Sequence, residues 1–450
     1  MARSPLPWLP LLLTHLAWAC LAGPAAAQTP WGDGGRLPGP VAGAAAAVAE
    51  LGGGRAALYL AGGVDGRRFL RRTAWALLGP DGRPGPWREG PPLGEPRGFL
   101  GLAVLDGWLY AVGGANGPAG SRLLASVERA PIGPDGSLGP WEPLPEGLKL
   151  PRRCAEAAAA AGRLYVAGGF GGALLDSVEV LTPAGTGPPG PWRLLEARLL
   201  RPRYIHALVA HRGRLYALGG HVPGEGRGSA AVSWAPASGA PRWREGPPLE
   251  RARYGLAAAA ASGWLYALGG LSGAAYLRSV EASPLGPEGA PGPWREAAPL
   301  PAPLAQAAAA SWRRWIYLAG GTGPEGYYAQ VLYAEADADG SLRLPRGARP
   351  AAPVPVAAAP ALREGRVLEV LQAGPYSYLR LEGPEGEEWV ATRRQDFRAG
   401  ERLRYGEGIL MEGFASRSLG RRFRRIRFTG RVERLPAPAP APAGIQSPPR

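Results

Sequence analysis

One short pattern of apolar and polar positions organises most of this chain. Six times an aliphatic residue and a tyrosine lead through two further apolar residues into a glycine pair: LYLAGG ending at Gly63, LYAVGG at Gly114, LYVAGG at Gly169, LYALGG at Gly220 and again at Gly270, and IYLAGG at Gly321. The intervals are 51, 55, 51, 50 and 51 residues. Upstream of the phrase lies an apolar, alanine-rich run, such as 155–161 or 256–261, and then a turn, as at Gly162-Arg163, Gly213-Arg214 and Ser262-Gly263. Downstream, several units carry another short strand, Ser126-Val127-Glu128, Ser177-Val178-Glu179 or Ser279-Val280-Glu281, followed by a Gly/Pro-rich turn and a tryptophan (Trp87, Trp141, Trp192, Trp243, Trp294). Alternation along the Leu-Tyr strand puts the aliphatic residue on one face and the tyrosine on the other, where it can pack on a neighbouring unit. The glycine pair permits positive φ or close backbone approach, and each tryptophan is a wedge for a seam. Helices built from the alanine-rich runs are the competing reading. Gly-Gly stands beside every run and no unit sustains a 3.6-residue period, which disfavours it.

A fixed period of about 50 residues with four short strands per unit is the signature of propeller blades. The six copies resemble the Kelch/galactose-oxidase propellers over roughly residues 30–348. The resemblance implies an all-β fold, a six-bladed Kelch-type β-propeller over 28–348. The sixth unit reads GSLRLP at 340–345, with no tryptophan where one is expected. Pro30-Trp31, followed by Gly34, Leu37 and Pro38, looks like Pro86-Trp87 followed by Gly90, Pro91 and Leu93. The N-terminal segment is therefore expected to supply the outer strand of blade six, closing the ring and burying both edges.

Beyond the repeats, residues 349–361 are rich in Pro and Ala and read as a semi-rigid linker. Residues 435–450 read as a disordered Pro/Ala tail with polyproline II character. Between them, 362–434 carry five or six short strands, from RVLEVL at 366–371 to 423–428. This stretch resembles the small exported OB-like domains of bacteria, which implies a small β-barrel and an extracytoplasmic location.

The N-terminus changes the picture of where the protein works. Arg3 supplies a positive start, 9–21 a short apolar stretch, and Ala25-Ala26-Ala27 a small-residue cleavage site, so 1–27 read as a signal peptide. The stretch is short for a membrane span, and no later segment is long and apolar enough for one. An uncleaved anchor, or a lipoprotein using Cys20, are the alternatives. The protein is thus expected to be secreted or periplasmic, with no transmembrane segment once the signal is removed. After cleavage Cys154 is the sole cysteine, which excludes an intrachain disulfide and suits a small buried hydrophobe better than a nucleophile. With 46% apolar residues the chain can bury a large core without a staple. The formal charge is +15, but Lys149 is the only lysine, so uniform arginine usage rather than nucleic-acid binding explains much of it.

Candidate chemistry is sparse. Sixteen residues before the first glycine of the pair stand Arg97, Arg152, Arg203 and Arg253. Gathered at one mouth, they form a positive funnel for an anionic ligand, with Tyr204 and Tyr254 adding stacking. Alternatively they belong to the repeat, pairing with loop carboxylates or backbone carbonyls. His206, His211 and His221 lie near the fourth glycine pair on separate strands or loops, without an obvious carboxylate partner, so no metal and no cofactor are expected. Residues 417–427 (RSLGRRFRRIR) concentrate Arg421, Arg422, Arg424, Arg425 and Arg427 into a basic face beside Tyr376, Tyr378 and Trp389. Such a face suits single-stranded nucleic acid, though export favours an anionic envelope polymer or lipid head group. No P-loop, nucleophile elbow or zinc spacing is present. The sequence points to a binding or scaffold protein of the cell envelope that recognises a protein or glycan partner. The alternative is a sugar-acting propeller enzyme, epimerase- or oxidase-like, which the Kelch resemblance also allows. N-terminal analysis of the exported protein should find Gln28 as its first residue, and retention of residues 1–27 would contradict the signal reading.

Overall fold

The computed structural model describes residues 29–436 except 118–119, 184–188, 223–227, 240, 353–361, 375, 407–408, 417–418 and 430–431. The signal peptide, most of the linker and nearly all of the tail lie outside the described residues. The described residues form strands and turns with no helix, so none is long and apolar enough to cross a membrane.

Each repeat folds as a four-stranded antiparallel blade. Blade three is representative, with Ala157–Ala160, Arg163–Ala167, Ser177–Leu181 and Arg193–Arg198 running from the axis outward. The alanine-rich runs are the innermost strands, and their alanines line the central channel. Six strands converge there, and a small side chain lets them do so, which overrides the helix propensity of alanine. The next strand carries the Leu-Tyr phrase. Tyr59, Tyr110, Tyr165, Tyr216, Tyr266 and Tyr317 are all buried. Among the described residues five reach across a seam to a carbonyl of the following blade: Tyr59 to Gly136 (2.8 Å), Tyr165 to Ala237 (2.6 Å), Tyr216 to Gly289 (2.8 Å), Tyr266 to Gly340 (3.3 Å) and Tyr317 to Gly82 (2.8 Å). A buried tyrosine needs such a partner for its hydroxyl.

The tryptophans wedge the same seams from outside. Trp141 packs between blades one and two, Trp192 between two and three, Trp243 between three and four, and Trp294 between four and five. Trp31 is fully buried among Tyr266, Leu268, Ile316 and Leu332, in the seam of blades five and six. The N-terminal strand Gly32–Arg36 pairs with Gln330–Ala336 as the outer strand of blade six, through Gly32↔Tyr333, Asp33↔Leu332 and Arg36↔Gln330. Blade six is therefore made from both ends of the propeller sequence. The residues that follow are tied in as well: Asp33 N–H donates to Arg349 O and Ala351 N–H to Trp31 O (both 2.8 Å). The propeller thus runs past the boundary at 348 that composition suggested.

The C-terminal unit is one seven-stranded sheet. Its order is Ile409–Ser416, Arg421–Phe428, Gly386–Arg393, Tyr376–Gly383, Arg363–Ala373, Arg402–Tyr405, Val432–Arg434. A three-stranded meander comes first, and its last strand pairs in parallel with Arg421–Phe428 (Trp389↔Ile426, Ala391↔Phe428).

Two changes probe the closure. Trp31→Ala removes a fully buried aromatic and should cost about 3–5 kcal/mol. Deleting 28–38 also exposes the edge of Gln330–Ala336 and should lower Tm sharply. An unchanged Tm in either variant, read by thermal unfolding, would contradict this closure.

Candidate functional site

All six blades present their glycine pairs on one face of the propeller, where two belts of hydrogen bonds tie the ring together. In the first, the N–H of the second glycine donates to a carbonyl of the segment entering the next blade: Gly63 to Arg97, Gly114 to Arg152, Gly169 to Arg203, Gly220 to Arg253, Gly270 to Leu304 and Gly321 to Val41, at 2.7–2.9 Å. Both glycines have positive φ, near 60° and then near 98°, as at Gly269 (58°) and Gly270 (97°). A Cβ on Gly269 would stand 2.2 Å from Leu304 O, so only glycine fits. In the second belt Gly43, Phe99, Cys154, Ile205, Gly255 and Gln306 each donate an N–H to the carbonyl of the preceding member, and Gly43 returns to Gln306 (2.7–3.2 Å). All six are left-handed, the four with side chains at φ 52–57°. That conformation costs about 1–2 kcal/mol per residue, and its recurrence in every blade marks it as a property of the ring rather than of a catalytic site.

The arginines expected at a mouth are not there. Arg97, Arg152, Arg203 and Arg253 are fully buried inside their blades. Each sends Nη1 to the carbonyl of the first glycine, sixteen residues on: Gly113, Gly168, Gly219 and Gly269 (2.8–3.1 Å). Arg97 also pairs with the buried carboxylate of Glu128, Arg152 with that of Glu179 (2.6 Å) and Arg253 with that of Glu281. Burial lowers the guanidinium pKa of Arg152 and Arg253, and the glutamate opposes that shift. The spacing of sixteen encodes a clamp on the glycine turn, so of the two readings of these arginines the repeat-internal one holds and the funnel is corrected. Breaking such a pair from one side costs about 3–5 kcal/mol, because the other charge stays buried.

Tyr204 and Tyr254 do reach the loop face, half-buried. With Phe170 and His221 they form a row, ring centroids 6.0, 5.5 and 5.9 Å apart in the order Phe170, Tyr204, His221, Tyr254. Arg153 lies over Phe170. The other side of the same face opens into a cleft of about 830 Å³. Phe69, Phe99, Tyr276 and Tyr327 form its aromatic walls, and exposed Arg67, Arg68 and Arg122 its rim. Glu95 is held in it by Arg97 (3.2 Å), Arg122 (3.1 Å), Asn116 (3.4 Å) and Ser126. The Tyr276 and Thr322 hydroxyls bond each other across blades five and six (2.8 Å). Aromatic planes with oriented polar groups between them suit a peptide or a sugar.

Phe99 and Gln306 line both the cleft and a narrow neck of about 60 Å³, and the neck shares Ala44, Leu100 and Glu156 with the channel of about 310 Å³ behind it. At the position of Glu156 the other blades have Ala45, Gly101, Ala207, Ala257 and Ala308. Burial raises the Glu156 carboxyl to about 7, against one stabilising N–H from Leu208 (3.2 Å). His206, also on the neck, is pushed down to about 3 by burial first and then by Arg203 and Arg152. Burial pushes the Cys154 thiol up to about 12, so it is no nucleophile at neutral pH. Among the described residues no group of three His, Cys, Asp or Glu converges as metal ligands.

In the C-terminal sheet Arg421, Arg422, Arg424 and Arg425 are exposed. Arg421 lies over the Trp389 ring (4.5 Å). Arg427 is buried instead, its Nε on Glu388 (3.0 Å), whose other oxygen accepts from Tyr405 (2.8 Å). It leaves the expected basic face. Tyr378 is buried against Phe423, while Tyr376 is exposed.

Comparisons with known proteins agree with this architecture. Residues 151–185 match the family model of the Kelch motif. The human Kelch repeat and BTB domain-containing protein 13 is 34% identical over 172 residues, 38% of this chain and 33% of that protein. Human Kelch-like protein 33 is 38% identical over 117 residues, 26% of this chain and 20% of that protein. The chain thus spans a third or less of the length of these relatives. A solved structure described as that of YjhT superposes with a TM-score of 0.54 at 16% identity, over 68% of this chain and 98% of that one. That likeness concerns the fold. The chain is an all-β, Kelch-type propeller.

The cleft residues carry a sequence signal that the repeat alone hides. Phe69, Tyr276 and Tyr327 each stand six residues after a second glycine, in units one, five and six. The channel groups predict an observable pH response. Between about pH 4.5 and 6.5, the ordinary values of the two groups, the folded chain holds a proton on Glu156 that the unfolded chain has released, and has lost one on His206 that the unfolded chain keeps. The slopes cancel. Glu156→Gln leaves the histidine unopposed, so stability relative to wild type should climb with pH across that window by about 1.4 kcal/mol per unit. His206→Gln should make it fall with pH by a similar slope. Parallel profiles for wild type and both variants in urea titrations would contradict the assignment.

Proposed function

We propose that this is an exported binding protein of the cell envelope, whose propeller recognises a protein or glycan partner on its loop face. The observation that carries this reading is the cleft between Phe69, Phe99, Tyr276 and Tyr327, with Arg67, Arg68 and Arg122 at its rim. Loops from blades one, two, five and six meet there on a rigid ring, which is how propellers and other scaffolds present binding residues. The Kelch relatives support recognition of a protein. The aromatic row from Phe170 to Tyr254 extends the same face. The C-terminal sheet, which we read as OB-like from its meander and parallel strand pair, adds exposed Arg421, Arg422, Arg424 and Arg425 for an anionic envelope polymer or lipid head group. The alternative of a sugar-acting enzyme leaned on Arg203 and Arg253 in a funnel, and both are engaged within their blades.

Mature protein screened against a peptide-display library and a glycan array should enrich one ligand class. Phe69→Ala with Tyr327→Ala should weaken its binding at least about tenfold, as expected when aromatic anchors are truncated, while leaving Tm within a few degrees. Binding that survives the double substitution would contradict a site in the cleft. Turnover of a captured sugar would favour the enzyme.

A further inference from the structure

Two departures from the repeat meet at the seam of blades three and four, on the axis of the ring. Glu156 leads into Ala157–Ala160 and His206 into Ala207–His211, the inner strands of those blades. At the position of His206 the other blades have Ala44, Leu100, Ala155, Leu256 and Ala307. Both side chains line the neck of about 60 Å³, and Glu156 also faces the channel of about 310 Å³ behind it. Described residues alone form the two cavities.

Glu156 crosses the seam through one hydrogen bond, with Leu208 N–H donating to its Oε2 (3.2 Å). No arginine or lysine lines either cavity, although an enclosed carboxylate is costly without a countercharge. His206 is 2% exposed, and neither ring nitrogen has a hydrogen-bonding partner. The backbone of Ala167 comes near the ring, outside hydrogen-bonding geometry. Buried polar atoms left in this way call for a partner from outside the chain. The neck has room for a group the size of about two waters. The channel behind it is walled by alanines of the inner strands, among them Ala45, Ala158, Ala258 and Ala309. A lone carboxylate, an imidazole acceptor and an apolar bore together match a primary ammonium on a short unbranched chain, in charge, in donors and in shape.

We infer that the propeller axis binds a small primary amine in its ammonium form, with its N–H groups on the Glu156 carboxylate and a His206 ring nitrogen and its aliphatic chain along the alanine-walled channel. The site lies behind the loop-face cleft and stands without it. Binding should depend on pH through Glu156 alone. The other titratable groups on the neck are His206 and Cys154. Burial, then Arg203 and Arg152, hold His206 at about 3, and burial holds the Cys154 thiol at about 12, so both stay neutral between pH 5 and 8. The Glu156 carboxyl stands at about 7. The cation needs it ionised, so affinity is full above that value and falls about tenfold per unit below it.

Thermal unfolding of the mature protein tests this, with propylammonium chloride compared against sodium chloride at equal ionic strength. At pH 8, ligand at a hundredfold excess over Kd should raise Tm by on the order of 5 °C. At pH 5 the same concentration should raise it by less than about 1 °C, because affinity has dropped about a hundredfold. Tetramethylammonium, which has no N–H donor, and 1-propanol, which has no charge, should give no shift. Glu156→Gln should abolish the response, and so should Glu156→Ala, which installs the residue that four other blades carry and keeps the ring intact. His206→Leu, which copies Leu100 and Leu256, should weaken binding severalfold. No propylammonium shift at pH 8, an equal shift at pH 5, or an undiminished shift in both Glu156 variants would overturn the inference.

Discussion

The whole molecule depends on closing a circle of six seams. Each seam repeats one hydrogen bond, from the second glycine of a blade to a carbonyl entering the next. A second belt of left-handed residues runs inside it around the axis. Five seams join blades that follow each other in sequence. The sixth joins residues 280 and 263 apart in sequence, through Gly321 with Val41 and Gly43 with Gln306. The loop-closure entropy is spent once, in bringing those ends together. The strand Gly32–Arg36 and the buried Trp31 offset it by completing blade six from the other end of the chain.

Such a ring leaves little freedom at the seams and much on its faces. The glycine pairs and the tyrosines recur because every blade meets the same geometric demand, and the buried Arg–Glu clamps serve it in blades two, three and five. Residues that break the repeat answer to something else. Glu156 stands where five blades have alanine or glycine. Phe69, Tyr276 and Tyr327 are aromatics at a position that other blades fill with Gly120 or Leu175. The candidate chemistry of this protein lies in these departures. The repeated residues hold them in place.

The fold was largely legible in the chain. The glycine period set the number of blades, the alternation of Leu and Tyr set which face meets the neighbour, and the missing sixth tryptophan pointed to Trp31. The site was much less so. Arg97, Arg152, Arg203 and Arg253 allowed both a funnel and a role inside the repeat, because spacing alone cannot tell a side chain that points along its blade from one that points at the axis. Phe69 and Tyr327 come from opposite ends of the propeller sequence, so only ring closure makes them neighbours. In blade one the longer inner hairpin, Ala45–Gly52 with Arg55–Ala61, shifts the position equivalent to the arginines to Val41 and breaks the count of sixteen. In the C-terminal sheet strand order depends on a parallel contact between Gly386–Arg393 and Arg421–Phe428, which local alternation does not encode. Arg427 turned inward to Glu388 for the same reason.

Native-state hydrogen exchange at the second glycines tests the closed ring most directly. The amides of Gly63, Gly114, Gly169, Gly220, Gly270 and Gly321 each span a seam, so in a closed ring none opens without its neighbours. Closure predicts that all six, together with those amides of Gly32–Arg36 that bond blade six, exchange only through global unfolding and share one denaturant dependence. Faster, denaturant-independent exchange at Gly321 and in Gly32–Arg36, with the other five glycines still protected, would show that the sixth seam opens by itself and would contradict the account.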